Sequence, residues 1–411
     1  MPTLNKIRAA LRKDRVPTLP VDPHLTRLRI AVTAFFAMDG FLFAGWVVRI
    51  PAIKAQTGAG AGALGLALLG VSAGAVAFMM ITGRLCRRFG SHAVTTASAA
   101  ALALSIVLPP LTHSATALGL VLLVFGAAYG SLNVAMNSAA VDLISALRRP
   151  VMPSFHAAFS LGGMLGAGLG GLIAGSLSPT VHLLLLAAIG LLVTAVAGNS
   201  LRAHPAPAVP ERLPAAQENR PRHGRADRGR RLVLVFGLIA LCTAYGEGAM
   251  ADWGALHLSQ DLGAGAGTAA AGYAVFALAM TVGRLSGTAI VQRFGAARAL
   301  IAGGTTATAG MLLGALAPSA GAACAGFAVA GLGLANIFPI AIARAGESGG
   351  PDGVAVASTV GYGGMLLGPP AIGFLAEAAG LPAALTTVAL LAAVAAVIAY
   401  ATRGAHHTGR P

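Results

Sequence analysis

Two acidic residues interrupt long apolar stretches of this 411-residue chain. Asp39 lies in FAMDGFLFAGW (36–46), and Glu247 lies in AYGEGAMADWGA (244–255), where Asp252 follows it. Both stretches have the same order: an acid, a glycine, small and apolar residues, and a tryptophan. An ionised carboxylate at the centre of a bilayer costs about 2.5–3.5 kcal/mol on insertion scales, so such acids usually face a bundle interior or a wet cavity. Because a carboxyl group removed from water favours its neutral form, Asp39 and Glu247 are candidates for reversible proton binding.

A second set of polar side chains consists of amides and one histidine in other apolar stretches. Asn133 and Asn137 are one helical turn apart and would share a helix face. Buried amides such as these and Asn336 either bind a solute or join neighbouring helices, and both interpretations stay open. His156 has a ring whose charge can change near neutral pH, which suits a proton relay. The alternative for His156 is a structural histidine that hydrogen-bonds at a helix end.

The elements that must position these residues are membrane-spanning helices. The chain is 56% hydrophobic and 10% charged, with 55 glycines, which is too apolar for a soluble protein. A helix needs about 20 apolar residues to cross a hydrocarbon core roughly 30 Å thick. Twelve runs meet this requirement, near 28–51, 62–83, 93–110, 115–140, 152–176, 181–200, 232–257, 267–290, 297–317, 321–343, 354–376 and 381–402.

The basic residues follow the topology of these runs. The formal net charge is +15, and every Lys and Arg except Arg49 and Lys54 lies in alternate connections, in adjoining helix ends, or in the terminal and central segments. This positive-inside pattern predicts a multi-pass protein of the inner (plasma) membrane with both termini cytoplasmic. The basic charge then serves orientation and contact with anionic lipid, and we expect no nucleic-acid partner. The three cysteines are scattered and indicate neither a disulfide framework nor a metal site.

Short phrases recur in the second half of the chain in the same order. Gly83-Arg84-Leu85 recurs at 283–285, Gly130-x-x-Asn133 at 333–336, and Gly162-Gly163-Met164-Leu165 at 363–366. The repetition predicts an all-α integral membrane fold with two pseudo-symmetric six-helix bundles. The predicted segments are a cytoplasmic tail at 1–27, bundles at 28–201 and 232–402, a disordered basic cytoplasmic linker at 202–231, and a cytoplasmic tail at 403–411.

The span pattern and the basic Gly-Arg-Leu turns resemble the major facilitator superfamily over residues 28–402. In that family the loop between spans two and three has a glycine, an acid four residues later, then a basic residue and a second glycine. Here Gly83, Arg87, Arg88 and Gly90 take these places, so arginine replaces the acid. The phrases Asn133-Val-Ala-Met-Asn137, Ser154-Phe-His156 and Glu247-Gly-Ala-Met-Ala-Asp252-Trp253 are similar to the MosC-like and YbjJ-like transporters.

The resemblance implies that spans one, four, seven and ten line a central cavity. Those spans carry Asp39, Asn133 with Asn137, Glu247 with Asp252, and Asn336. Asp252 lies far enough along its span to be an outer-rim residue instead. The resemblance also implies a loop latch at the cytoplasmic interface, to which we assign Gly83, Arg84, Arg87, Arg88, Gly90 and Arg284.

The predicted function is secondary transport of a small polar solute by alternating access, coupled to protons through Asp39 and Glu247, with His156 as a third candidate. The candidates for solute contact are Asn133, Asn137, Asp252 and Asn336. An uncoupled facilitator, a drug-type exporter and a transporter-like solute sensor are the alternatives. No motif indicates a cofactor, a metal or a catalytic nucleophile, so an enzyme is not expected. We expect the functional unit to be a monomer.

Overall fold

The computed structural model describes residues 22–59, 61–173, 176–203, 222–264 and 266–403, and this part of the chain is almost entirely helical. The helices are α1 (Pro23–Val47), α2 (Ile50–Thr57), α3 (Ala61–Phe89), α4 (Ser91–Ser105), α5 (Ala115–Leu147), α6 (Met152–Ile173), α7 (Pro179–Ala203), α8 (Arg222–Gln260), α9 (Ala266–Phe294), α10 (Ala296–Leu316), α11 (Ala320–Leu334), α12 (Ile337–Ala379) and α13 (Leu381–Thr402). A short 3₁₀ helix, Pro109–Leu111, follows α4.

The described helices make twelve spans, as the sequence predicts. Ten segments are long and apolar enough to cross a membrane. One of them, Ala320–Ala379, contains α11 and α12 and makes two crossings, because Gly350 interrupts α12 with φ 59° and ψ −149°. The two arms of α12 then run back along each other, so that Gly361 packs against Phe338. Helix α6 is a further span outside these ten segments, which brings the number of spans in the described residues to twelve.

The two halves of the chain, α1–α7 and α8–α13, repeat the same local devices. Ser114 caps α5 by accepting a hydrogen bond from the backbone N–H of Ala117, and Ser319 caps α11 in the same way. A tight turn at Gly90 (φ 84°) joins α3 to α4, and one at Gly295 (φ 81°) joins α9 to α10. Glycine is needed at both turns because other residues rarely adopt a positive φ. The two pseudo-symmetric six-helix bundles expected from the sequence are therefore present.

Alternate connections lie at the same end of the molecule, because consecutive spans cross in opposite directions. We call the end with the turns at Gly90, 148–151, Gly295 and Gly350 the basic end, since Arg88, Arg148, Arg149 and Arg293 adjoin these turns. The opposite end is the far end. Asp39, Glu247 and the two asparagines of α5 lie in helix interiors, away from the turns at either end.

Three helix ends lie inside segments predicted as tail or linker, and the first is that of α7, which continues to Ala203. Asp22 accepts a hydrogen bond from the backbone of His24 and Pro23 takes the first helical position, so α1 starts before residue 28. Helix α8 begins at Arg222, so the last ten residues of the predicted linker, 222–231, are helical rather than disordered. The rest of the predicted tails and linker, at 1–21, 204–221 and 404–411, lies outside the described residues.

Candidate functional site

An ion pair between α8 and α9 joins Glu247 to Arg284. The Nη2 atom of Arg284 lies 3.1 Å from both carboxylate oxygens of Glu247. The side chain of Arg284 is 10% exposed and that of Glu247 is 22% exposed. Arg284 also donates from Nη1 to the hydroxyl of Ser160 at 2.8 Å. Because Ser160 belongs to α6, a single guanidinium connects the two halves of the protein.

The backbone of span ten explains the third hydrogen bond of this arginine. Pro339 has no N–H, so the carbonyl of Ala335 lacks its usual helical donor four residues on. Arg284 donates to that carbonyl from Nε at 3.3 Å. Asn336, at the break between α11 and α12, donates to the carbonyl of Gly283 at 2.9 Å. The interruption of span ten is thus held by α9 through two polar contacts.

The assignment of Arg284 to a loop latch was wrong. That assignment matched 283–285 with 83–85, whereas the turns show that Arg293-Phe294-Gly295 corresponds to Arg88-Phe89-Gly90. In both triplets the guanidinium lies over the following phenylalanine ring, at 5.1 Å and 5.5 Å. Helix α9 continues to Phe294 after Arg284, which places Arg284 about 15 Å from the turn at 1.5 Å per residue. A charge at that depth requires an acid partner, and Glu247 provides it.

Two latch residues of the first half, Arg87 and Gly83, contact the second half. Arg87, at the end of α3, pairs with Asp352 at the start of the second arm of α12. Gly83 packs against Ala355 and Asp352, and its missing side chain permits this approach. Arg84, Arg88 and Gly90 are exposed at the same end. Arg87, which replaces the acid of the family pattern, therefore pairs with an acid of the other half.

Asp39 is the most deeply buried acid of the described chain. It has no exposed surface, and neither carboxylate oxygen has a hydrogen-bond partner among the described residues. Its neighbour Gly40 packs directly on the backbone of Phe159 in α6, which closes that side of α1. An ionised carboxylate in such surroundings, with no partner among the described residues, would cost several kcal/mol.

The amides of α5 connect to His156. Asn137 donates to the backbone carbonyl of Asn133 at 2.8 Å and accepts from Nε2 of His156 at 3.2 Å. Because the amide oxygen only accepts, the histidine proton is on Nε2. The ring is 7% exposed and lies between Phe36 and Phe338, at 5.2 Å and 5.9 Å between centroids. His156 is therefore a buried histidine whose Nε2 atom has a hydrogen-bond partner, and it lies at the contact between the two halves.

Two tyrosines belong to the same site and were missed by the sequence reasoning. The hydroxyl of Tyr362 lies 3.4 Å from that of Tyr129 and 3.4 Å from the amide nitrogen of Asn133. Tyr129 is on α5 and Tyr362 is on the second arm of α12, so this contact also joins the two halves. The only sequence signal was a tyrosine among glycines in each stretch, AAYGS and VGYGG.

Three further candidates differ in their surroundings. The amide oxygens of Asn133 and Asn336 have no hydrogen-bond partner among the described residues, although both atoms are buried. Asn336 packs on Gly287 and bonds α9, which favours its role as a link between helices. Asp252 is exposed and has no described contact with the other candidates, so the structure does not bring it into the cluster.

Twelve apolar spans in two similar halves, with a cluster of polar side chains buried where the halves meet, define a multi-pass membrane protein of the transporter class. The sequence pattern of the family described as Major Facilitator Superfamily matches residues 30–352 of this chain. The chain therefore belongs to the major facilitator superfamily of transporters.

Relatives and solved structures agree with this family. An uncharacterized MFS-type transporter of Yersinia pestis is 35% identical over 378 residues, which cover 90% of this chain and 94% of the relative. The membrane protein MosC of Rhizobium meliloti is 32% identical over 394 residues, 94% and 92% of the two chains. The resemblance to MosC-like transporters is thus confirmed.

Two solved structures show the same fold at low identity. FucP, crystallised in the outward conformation, has a TM-score of 0.75 at 18% identity over 92% of this chain and 98% of its own. XylE, a proton:xylose symporter, has a TM-score of 0.74 at 14% identity, with 92% and 95% covered.

Proposed function

We propose that this protein moves a small polar solute across the inner membrane by alternating access and couples the movement to protons. The observation that carries the proposal is Asp39, a wholly buried acid without a cation or hydrogen-bond partner in the described residues. An intramembrane acid of this kind is costly, so it is a candidate functional residue by default. Asp39 is the primary proton carrier in this proposal, and Glu247 is the second.

The two acids differ in what a proton would change. A proton on Asp39 neutralises a group without a partner among the described residues, so release of that proton depends on water reaching α1. A proton on Glu247 would remove the negative member of the pair with Arg284. The guanidinium would then keep Ser160 and Ala335 as partners and be available to a new acceptor. Protonation of Glu247 therefore alters a contact between the halves, which is what coupling requires.

The solute would bind where buried polar atoms converge between the halves. The amide oxygen of Asn133 is an available acceptor, and the hydroxyls of Tyr129 and Tyr362 lie beside it. Hydroxyl and amide groups of this kind suit a solute with its own hydroxyl or amino groups. FucP, named as a fucose:proton symporter, and XylE, a proton:xylose symporter, share the fold and make a polyhydroxylated solute a reasonable first choice.

Contacts between the halves at the basic end support a conformation open at the far end. Arg87 pairs with Asp352, and Gly346 packs against Val141 near the turn that follows α5. If the basic end is cytoplasmic, as the arginines of its turns suggest, this conformation faces outward. We propose that bundles 28–201 and 232–402 rock about the central cluster as a functional monomer.

A proton-flux assay tests the proposal. The purified protein is reconstituted in liposomes that contain a pH-sensitive dye and is challenged with a panel of monosaccharides, polyols, small carboxylates and amino-acid derivatives. We expect one class to change the internal pH through the wild type and not through Asp39→Asn, while Asp252→Asn serves as an intramembrane acid control that keeps the signal. Solute uptake with no pH change in the wild type would support an uncoupled facilitator, and binding without uptake would support a sensor.

A further inference from the structure

A cavity of about 730 Å³ lies at the basic end of the second half, away from the ion pair of Glu247 and Arg284. It is bounded by the end of α9, the first turns of α10 and the last turn of α13, with α8 and the first arm of α12 behind them. Three arginines line it: Arg298 of α10, Arg344 of α12, and Arg403, which follows the last residue of α13. No acidic residue is among its described lining residues.

The first half closes the equivalent place with its own side chains. There, Nδ1 of His92 donates to the carbonyl of Leu201 at 3.1 Å, which joins the start of α4 to the end of α7. Ser91 donates to Asp142 at 2.8 Å, which joins α4 to α5. The turns at Gly90 and Gly295 align these residues with Ala296 and Ala297 in the second half. Two alanines cannot make these bridges, so the second half has a cavity where the first half is closed.

The lining combines positive charge with apolar surface. Arg298 and Arg403 are exposed, and the guanidinium of Arg403 lies 3.5 Å from the centre of the Tyr400 ring, which holds its orientation. Arg344 also forms an ion pair with Glu347, with 2.6 Å between Nη1 and Oε2. The floor consists of buried apolar side chains, including Phe236, Leu300 and Ala399. A guanidinium group can donate two parallel hydrogen bonds to the oxygens of one phosphate group. An apolar floor can contact the hydrocarbon chain of a lipid.

We propose that this cavity binds one anionic phospholipid. Arg298 and Arg403 hold the phosphate, and the first part of an acyl chain lies along the apolar lining at the partly exposed Ile301. The position favours a lipid over a soluble phosphate, since the cavity is at the end of the spans, where headgroups meet the hydrocarbon layer. The segment that follows Arg403 does not complement the cavity, because residues 404–411 include His406, His407 and Arg410 and no acid.

Native mass spectrometry of the full chain in a neutral detergent tests the proposal. The protein is titrated with phosphatidylglycerol or phosphatidylcholine of the same acyl chains. We expect one phosphatidylglycerol to bind at least about tenfold more tightly than phosphatidylcholine, since two arginines contribute and each near-surface basic residue is worth about fivefold. Arg298→Gln and Arg403→Gln should each weaken phosphatidylglycerol binding about fivefold. Arg293→Gln is the matched control, because Arg293 is exposed at the same end but does not line the cavity.

A second variant tests the shape of the site independently of its charge. Ala297→Trp fills the cavity and keeps all three arginines, so we expect it to lose the tightly bound phosphatidylglycerol while its thermal unfolding without added lipid stays close to that of the wild type. If Ala297→Trp does not fold, Arg298→Gln and Arg403→Gln still decide the question. Equal binding of the two lipids, or unchanged binding in both arginine variants, overturns the proposal. Displacement of the lipid by millimolar inorganic phosphate or glycerol phosphate assigns the cavity to a soluble phosphate and also overturns it.

Discussion

Replacing Glu247 and Arg284 singly should lower the free energy of unfolding by unequal amounts, and the variant with both changes tests the reason. Glu247→Gln removes the only acid that contacts Arg284 in the described structure and leaves a charged guanidinium with Ser160 and Ala335. Loss of one partner of a buried pair costs about 3–5 kcal/mol. Because the Glu247 side chain is 22% exposed, we expect the lower value, about 3 kcal/mol. Arg284→Gln should cost less, about 1–2 kcal/mol, since the remaining carboxyl group can take a proton whereas a guanidinium cannot lose one.

The variant with both changes separates this account from simple additivity. It leaves no uncompensated charge, so its free energy of unfolding should resemble that of Arg284→Gln. The coupling energy should then equal the cost of Glu247→Gln, about 3 kcal/mol. The free energy is measured by denaturant titration of the purified protein in detergent micelles, with Asp252→Asn as a control outside the pair. Costs of the two single changes that add to within about 0.5 kcal/mol would refute the ion pair as the stabilising contact.

Three further predictions follow from particular contacts. Gly162→Ala should lower stability by about 1–3 kcal/mol, because the added methyl group would press on the backbone of Ala37. Gly168→Ala should be tolerated, because no described atom lies within 4 Å of the added methyl group, and thermal unfolding compares the two variants. Asp352→Ala should change stability by less than about 1 kcal/mol, because its pair with Arg87 is exposed, but should increase labelling of a reporter cysteine at the basic end by loosening the contact between the halves. His156→Gln, which keeps a donor for Asn137, should be more stable than His156→Ala by about 1 kcal/mol, and equal stability would contradict the hydrogen bond.

The spans and the two halves were predictable from the sequence because both depend on local patterns. Hydropathy alone marks helices that must satisfy their backbone groups inside a bilayer, and repeated phrases mark the duplication. The break in span ten was also present in the sequence, because Pro339 removes the donor for the carbonyl of Ala335. The contact of Arg284 with this break was not predictable, since it depends on how α9 is positioned along its axis relative to α11.

The incorrect assignment of Arg284 to the loop latch arose because a matching tripeptide does not give the position of a residue along its helix. Gly83-Arg84-Leu85 and Gly283-Arg284-Leu285 match in sequence, yet the turns at Gly90 and Gly295 follow at different distances. A shift of a few residues moves a side chain by several ångströms along a helix and turns it to another face. Pairing between distant helices, such as Tyr129 with Tyr362, likewise depends on tertiary packing and has no local signature.

The measurement that tests the central claim most directly compares exchange with accumulation for Asp39→Asn. Liposomes that contain wild type or variant receive the labelled solute under two conditions: an imposed proton gradient, or an excess of unlabelled solute inside without a gradient. Proton coupling through Asp39 predicts that the variant keeps exchange of labelled for unlabelled solute and loses accumulation driven by the gradient. Accumulation that equals the wild type would contradict the claim and leave Asp39 as a packing residue of a transporter that is coupled elsewhere or not at all.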